Sequence, residues 1–584
     1  MLSTHRRGSI AVAAAFAVLI TGVLTLVGRE AAVTDCVSVS LASSQEKSTL
    51  LTQIAADYER TRPSIEGRCV TINVTRQASG QVEQALARGW NDRTDGPRPD
   101  VWSPAALTWT TLLSLHLAEA GRPNLVPAGV TSLFRSPLVI GMPKPMAAAL
   151  GWPGKPLGWS DILRLARDRA GWGAYGHPEW GAFQLGKTNP NLSTSGLHAL
   201  IGTYFAASSR SADLTESVLS DPSVADFVQR VESSVVHYGD AISTFLLNLQ
   251  AADDANAALS YVSAIAMEEK EVWDYNQGNP LGDPALYGQH LPPRVPLVAI
   301  YPKEGTLAAD HPYVILKASW VTDAKRAAAE AFRQYLEAPP QQQRFQAVGF
   351  RDEFGRPGAT VSTSNGLQPD GPRAYVQPPS AAIIERVQQE WKRLRKRARI
   401  LILLDVSSSV AGANPRALQA SLSSGLAQLA GDDRVGAWEF ASHLSGQAPF
   451  REVVAEAPLT QTRGPLDREV AGSRSTSQPA ELYRAILDAV GSMQARTEPG
   501  LINAVVVVTN GHSTAAGDIN FSELLRQLQL ASESSAVHVF TVAYGMKPDT
   551  VALALIARAS RGATYDANQP SASGGVFTAV ISNF

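Results

Sequence analysis

Hydrophobic positions along this chain follow two patterns. Some runs are apolar without interruption: Ile400-Leu401-Ile402-Leu403-Leu404 and Ala504-Val505-Val506-Val507-Val508; a third strand-like run, Val537 to Tyr544, carries His538 and Thr541 and ends at Gly545. An unbroken run of this length predicts a strand buried on both faces, as in a parallel sheet. Other stretches alternate or recur at helical spacing. Val435–Phe440 alternates as a strand does, and helices are predicted from Arg416 to about Leu429 and from Ala480 to about Gln494. Alternating strands and helices predict a doubly wound α/β sheet over the last third of the chain. The first half repeats the alternation. Strands are expected at Cys36–Leu41, Cys69–Val74 and Asp100–Trp102, with helices from Lys47 to Arg60 and from about Gln81 to Ala87.

The N-terminus departs from both patterns. His5-Arg6-Arg7 precedes an apolar stretch from Ile10 to Val27. At ~1.5 Å per residue it spans about 27 Å, close to the ~30 Å hydrocarbon core. The arginines place the N-terminus in the cytoplasm and the bulk of the chain outside. The stretch is long for a signal peptide and lacks a clean cleavage site, so a retained single-pass anchor in the cell membrane is expected, with a cleaved signal as the alternative.

Composition adds limits. The 584 residues are 45% hydrophobic and 18% charged, an ordinary globular balance. The net charge of −2 argues against a nucleic-acid role. The one basic run, Lys392 to Arg399, lacks interleaved aromatics and reads as a solvated linker helix. Glu268, Glu269, Glu271 and Asp274 likewise read as a solvated face. Cys36 and Cys69 are the only cysteines, and each opens a predicted strand. If those strands are parallel neighbours, the sulfurs start at the same end, and a disulfide suits an extracytoplasmic domain; two buried thiols are the alternative.

Chemistry concentrates after the strand 400–404. Asp405, Ser407 and Ser409 place a carboxylate and two hydroxyls at every second position of a loop at the strand's carboxyl end. That spacing can turn three oxygens toward one point, which suits a hard cation such as Mg²⁺; Ser and Asp are also ordinary cap residues. The element resembles the DxSxS motif of the von Willebrand factor A (VWA) domain. DRVGAWEFAS (433–442), VVVVTNG (505–511), VHVFTVAYG (537–545) and LALIARASRGATYDA (553–567) each resemble a VWA signature as well. The resemblance covers about residues 398–584. It implies a metal-ion-dependent adhesion site that binds a partner protein's carboxylate through Mg²⁺ or Mn²⁺. Two departures weaken the expected metal. Ala480 stands where the family places a threonine, leaving Thr476 as a nearby substitute, and Asn510 replaces an aspartate, supplying a carbonyl oxygen without charge.

The region 36–370 resembles the bacterial type II solute-binding proteins of ABC importers. Hydroxyl residues recur where its helices begin, and Ser43, Ser44, Ser79, Ser103, Thr194 and Ser195 match the family's ligand-loop positions. The resemblance implies two lobes with a solute in the cleft. The chain would cross at Pro137–Met142 and return at Val295–Tyr301, giving a second lobe of about 138–296. The Pro-, Gly- and Ser-rich stretch from Pro357 to Pro379 marks the change of module, so residues 371–397 are read as a linker with a basic helix. Trp152, Trp159, Trp172 and Trp180 are expected mainly as packing residues.

The sequence contains no GxSxG with a following acid and histidine, no phosphate-binding GxxxxGK[ST] and no HExxH. The expected architecture is therefore α/β throughout: an N-terminal transmembrane helix over residues 1–30, a bilobal binding module, the linker, and a doubly wound VWA domain. It implies binding rather than catalysis. The VWA domain would engage a protein and the bilobal module would sense or present a solute; the alternative is the receptor of an ABC-type importer.

Overall fold

The computed structural model describes residues 36–208, 213–446, 448–498, 500–534, 537–567 and 576–584. The anchor expected over Ile10–Val27 lies outside them. Among the described residues no helix is long and apolar enough to cross a membrane.

The described residues form three sheets. The first runs in the order Ser64–Ile65, Arg68–Arg76, Val37–Ser43, Val101–Ser103, Pro312–Ile315, Thr131–Ser132. Val37–Ser43 pairs in parallel with Arg68–Arg76, so Val37 lies opposite Val70. This register sets Cys36 beside Cys69, and the two are disulfide-bonded with Cα atoms 4.5 Å apart.

The second sheet is built on Ser136–Pro143, which pairs antiparallel with Ala264–Glu268 and with Leu297–Ile300. Both segments expected to cross between lobes are thus strands of the second lobe. The crossings fall at 133–135 and 310–311, so the second lobe begins slightly earlier and ends later than the apolar runs suggested. Those runs are apolar because helices cover both faces of this sheet, not because they bridge the lobes.

The third sheet runs Ala448–Pro458, Arg434–Ser445, Ala398–Asp405, Ile502–Thr509, Val537–Ala543, Thr564–Asp566. All its pairs are parallel except the hairpin with Ala448–Pro458. Residues 398–405 and 502–509 are buried along their whole length, as continuous apolar runs require. The strand order reverses between these two neighbours, and both end at the same edge. Open α/β sheets bind ligands at such a switch point.

Three sequence expectations are corrected. The stretch 357–379 is not a free tether. Val361, Leu367 and Val376 are buried, and backbone bonds tie Gly366 to Ala299 and Ala374 to Thr306 in the second lobe. The basic run is not a solvated face. The helix Ala381–Leu394 buries Ile384, Val387, Trp391 and Leu394 at helical spacing, against helices Leu107–Glu119 of the first lobe and Thr194–Ser208 of the second. Beyond it, Arg395 and Arg399 are buried against Asp433 and Glu456, leaving Lys392 and Arg393 exposed. The acidic run is mostly enclosed too. Glu269 pairs with Arg351 and Asp274 with Lys270 inside the second lobe, because the helix Glu269–Asn276 starts at the cleft edge of a buried strand. Of the four tryptophans, Trp159 and Trp172 are core residues, as expected.

The domain built on the third sheet packs directly on the second lobe. Tyr238 N–H donates to Asn583 O (2.9 Å), and Asn189 Nδ2 and Asn248 Nδ2 donate to Ser582 O and Gly562 O. His237 lies between Phe245, Phe540 and His538. Glu232, fully buried, accepts from Lys187, Tyr238 Oη (2.7 Å) and Trp391 Nε1 (3.0 Å), joining the lobe to the linker helix.

Candidate functional site

The cleft between the lobes is assembled from helix starts. Strand Val37–Ser43 delivers Ser44 to the first turn of helix Gln45–Arg60; Ser79 opens helix Ser79–Arg88; Thr194 and Ser195 open Thr194–Ser208. Ser44, Ser79, Thr194 and Ser195 line the cleft together with Glu46, Glu268, Glu271 and Asp274. Ser43 and Ser103 do not. Their hydroxyls turn back to Ser44 O and Pro312 O, so they act as local backbone partners. The lining hydroxyls are partly engaged: Ser79 Oγ accepts from Ala105 N (3.1 Å), and Thr194 Oγ1 from Trp109 Nε1 (2.8 Å).

At the floor, His311 sits on the return crossing and joins the lobes. Its Nδ1 lies 3.3 Å from Glu46 of the first lobe, and its Nε2 lies 3.2 Å from Glu268 of the second. Burial lowers the His311 pKa, but Glu268 and Glu46 outweigh it, and the net shift is upward. Burial pushes Glu46 up, but Lys47 and His311 overcome it and hold the carboxyl low. Burial raises Glu268, and burial together with the Glu268 charge raises Glu271 further; Asp274 is pushed up by burial to about 6. Glu46, Glu268 and His311 can offer ligand atoms within 4.8 Å of one another. Lys47 Nζ already stands 3.2 Å from both Glu46 and His311, so an internal cation fills that side. Acid remains in excess in the lining, which favours hydroxyl donors or ammonium groups as ligand atoms.

The cleft is narrow, with about 50 Å³ of free volume. One rim is closed by direct contact between lobes. Gly80 N–H donates to Leu192 O (2.9 Å) and Gln84 Nε2 to Asn191 O (3.0 Å). Only a glycine permits this approach, since a Cβ at position 80 would lie 2.2 Å from Asn191 O. The other rim reaches the C-terminal domain. Tyr565 Oη donates to Asp240 (3.3 Å) and accepts from Asn583 Nδ2 (2.7 Å). A cavity of about 320 Å³ continues there between Arg76, Asp240, Asn248, Arg558 and Tyr565.

The second cluster lies at the switch point of the third sheet. Asp405 is almost buried at its strand end. Its Oδ1 accepts from Ser407 Oγ (2.6 Å) and its Oδ2 from Thr509 Oγ1 (2.6 Å). Ser409 Oγ lies 2.7 Å from Ser407 Oγ and 3.3 Å from Asn510 Oδ1. Burial raises the Asp405 pKa, opposed by these hydrogen bonds. The structure thus gathers Asp405, Ser407, Ser409 and Asn510. Thr476 lies apart from that hydrogen-bonded cluster: its N–H donates to Val406 O, and its hydroxyl accepts from Gln478 N. Ala480 is fully buried, and its N–H donates to Thr514 Oγ1 (2.8 Å). The gathered set is all oxygen with one formal charge, a composition that fits a hard divalent cation.

Several functional positions escaped the sequence reading. Thr509 was legible as part of Thr509-Asn510-Gly511 but was not assigned a role. Of the cleft acids, Glu268, Glu271 and Asp274 carry one signal, a charge run directly after an apolar strand, which in sequence looks like a solvated face; Glu46 carries none. His311 and Asp240 had no local signal.

Comparison with known proteins gives two family matches: bacterial extracellular solute-binding protein over residues 39–351, and von Willebrand factor type A domain over 398–566. An uncharacterized protein of Mycobacterium tuberculosis is 23% identical over 545 residues, 90% of this chain and 73% of that protein. Among solved structures, the periplasmic binding protein AfuA of Actinobacillus pleuropneumoniae, with fructose-6-phosphate bound, is 13% identical. It covers 62% of this chain and 99% of its own, with a TM-score of 0.40. A Streptococcus pneumoniae solute-binding protein in complex with the blood group A-trisaccharide is 14% identical over 60% of this chain and 94% of its own, TM-score 0.37. The pilus adhesin SpaC of Lactobacillus rhamnosus GG is 14% identical over 32% and 30%, TM-score 0.26. At these scores none of the three carries a ligand over to this chain.

Proposed function

Because the chain belongs to the bacterial extracellular solute-binding protein family and continues into a von Willebrand factor type A domain, we propose that it is an extracytoplasmic binding protein coupling a small-solute cleft to a metal-dependent protein-docking site. One observation carries the reading. Loops that line the cleft, 189–195 and 237–243, are hydrogen-bonded on their far side to the VWA domain's last residues. A solute that reorders those loops acts on the VWA packing directly.

In this reading Asp405, Ser407, Ser409 and Asn510 hold Mg²⁺ or Mn²⁺, which supplies a Lewis-acidic position for a partner's carboxylate. The cleft takes a small polyhydroxyl or cationic solute against Glu268, Glu271 and Asp274. The importer-receptor alternative requires the lobes to part repeatedly. The helix Ala381–Leu394 lies over both lobes and opposes that motion, which favours sensing or presentation over transport. The N-terminal stretch Ile10–Val27 is proposed as the membrane anchor, and a mature N-terminus found near Ala31 by mass spectrometry would rule it out.

Calorimetric titration of the full chain with Mg²⁺ tests the docking site. Binding should be weak in the native protein, lost in Asp405→Ala, and tighter in Asn510→Asp, where a second carboxylate adds Coulomb attraction. No heat at millimolar metal from either the native chain or Asn510→Asp would remove the metal from the proposal. A thermal-shift screen with amines, polyols and sugars tests the cleft; a ligand at a hundred times its Kd stabilises by about 2.7 kcal/mol.

A further inference from the structure

A separate cavity of about 280 Å³ opens in the second lobe, away from the cleft and from the VWA domain. Three segments distant in sequence build it: 152–157, 300–303 and 368–374. Its walls are aromatic and apolar at Trp152, Pro153, Leu157, Ile300 and Tyr301, and its charged groups are cationic: Lys155, Lys303 and Arg373. No carboxylate lines it among the described residues.

The carboxylates nearby already serve other groups. Asp161 accepts from Lys303 Nζ (2.7 Å) and from Gly158 N. Glu304 accepts from Trp159 N and Ser160 at the start of a helix. Glu269 pairs with Arg351 and Tyr301. Lys155 and Arg373 are exposed and form no ion pair among the described residues. A second, independent feature is an unmet donor on a lining residue. The indole N–H of Trp152 is buried and has no acceptor. An unmet buried donor is costly, and a bound acceptor would relieve it.

We infer that this cavity is a binding site for a small solute bearing an anionic group, carboxylate or phosphate, on an apolar or planar body. Lys155 and Arg373 would attract the charge, the Trp152 N–H would donate to it, and the rings of Trp152 and Tyr301 would face the body of the ligand. The site is chemically opposite to the cleft, whose lining is acidic, so the two would select different solutes.

The test uses the full chain at low ionic strength with three probes: phenyl phosphate, benzoate, and neutral phenyl glucoside. Binding is followed by saturation-transfer NMR and calorimetry. At least one anion should bind with a Kd of about 1 mM, and the neutral probe more weakly. Substituting both Lys155→Gln and Arg373→Gln should weaken the anion roughly tenfold or more, and Trp152→Phe several-fold. Both cations are exposed, so the double variant should fold; an unchanged thermal midpoint verifies this. Whichever anion binds identifies the preferred group. The inference is overturned if neither anion binds at about 10 mM. It is overturned equally if the neutral probe binds as well as the anions, or if the double variant retains native affinity.

Discussion

Replacing His237 with phenylalanine should make the protein less sensitive to acid. His237 is fully buried where the second lobe meets the VWA domain, its ring stacked on Phe245 and edge-on to Phe540 and His538. Burial pushes its pKa down to about 4, and Lys396 adds to the shift while the Tyr238 and Arg561 carbonyls oppose it. The side chains facing it are themselves basic: His538, held well below its usual value by burial, and Lys396, lowered to about 8. Among the described residues no carboxylate is one of the groups that shift it. The folded pKa lies below the unfolded value of 6.5, so the unfolded chain binds the proton first. Stability from this group is complete above about pH 6.5 and falls as the pH drops toward 4.

A gap of about 2.5 units at 1.36 kcal/mol each sets a ceiling of roughly 3.4 kcal/mol, of which about 2 kcal/mol is lost by about pH 5. Phenylalanine has nearly the same shape and no proton to bind, and it fits the aromatic surroundings. Denaturant unfolding of native and His237→Phe protein at about pH 7.5 and 5 measures the difference. The native protein should lose roughly 2 kcal/mol more between the two pH values than the variant does. Equal losses would refute the reasoning, because the titration would then lie elsewhere.

Three further outcomes are expected. Replacing Cys36 and Cys69 by serine should cost about 3–4 kcal/mol for a loop of this length, read by denaturant midpoint against the oxidised native chain. Glu232→Ala should cost about 3–5 kcal/mol, because Lys187 is left as a buried unpaired charge while Tyr238 and Trp391 lose their acceptor; a loss under about 1 kcal/mol would count against this network. Gly80→Leu should force the closed cleft rim apart, since even its Cβ would meet Asn191 O at 2.2 Å and the Trp109 ring at 2.8 Å; small-angle scattering should then report a larger radius of gyration, and an unchanged radius would contradict the contact.

Much of the VWA sheet was legible from local pattern alone. Ile400–Leu404 and Ala504–Val508 could only be doubly buried strands, and the alternation with helices set their direction. What escaped was the hairpin after Phe440. Its partner Ala448–Pro458 mixes Arg451, Glu452 and Glu456 with apolar residues, and an edge strand with one wet face gives a weak signal. The charged runs misled for a related reason. Charge in a sequence reports the residue and not its partner, so Arg395 and Glu269 looked solvated until the fold supplied Asp433 and Arg351.

The sequence by itself determined what short spacing can encode: buried strands, the helix starts, and the convergence of Asp405, Ser407 and Ser409 within one turn of chain. It also pointed to the disulfide, because both cysteines sit at matching ends of strand-like runs. Only the tertiary structure decided the contacts between distant segments. Thr509 reaches Asp405 across 104 residues, and Tyr565 reaches Asp240 across 325. His311 meets Glu46 and Glu268 from opposite lobes. The physical reason is that periodicity records which face of an element avoids water, while the identity of the covering surface depends on how sheets and helices stack. The cleft's acidity, the buried histidine pair and the docking of the VWA domain on the second lobe all arise at that level.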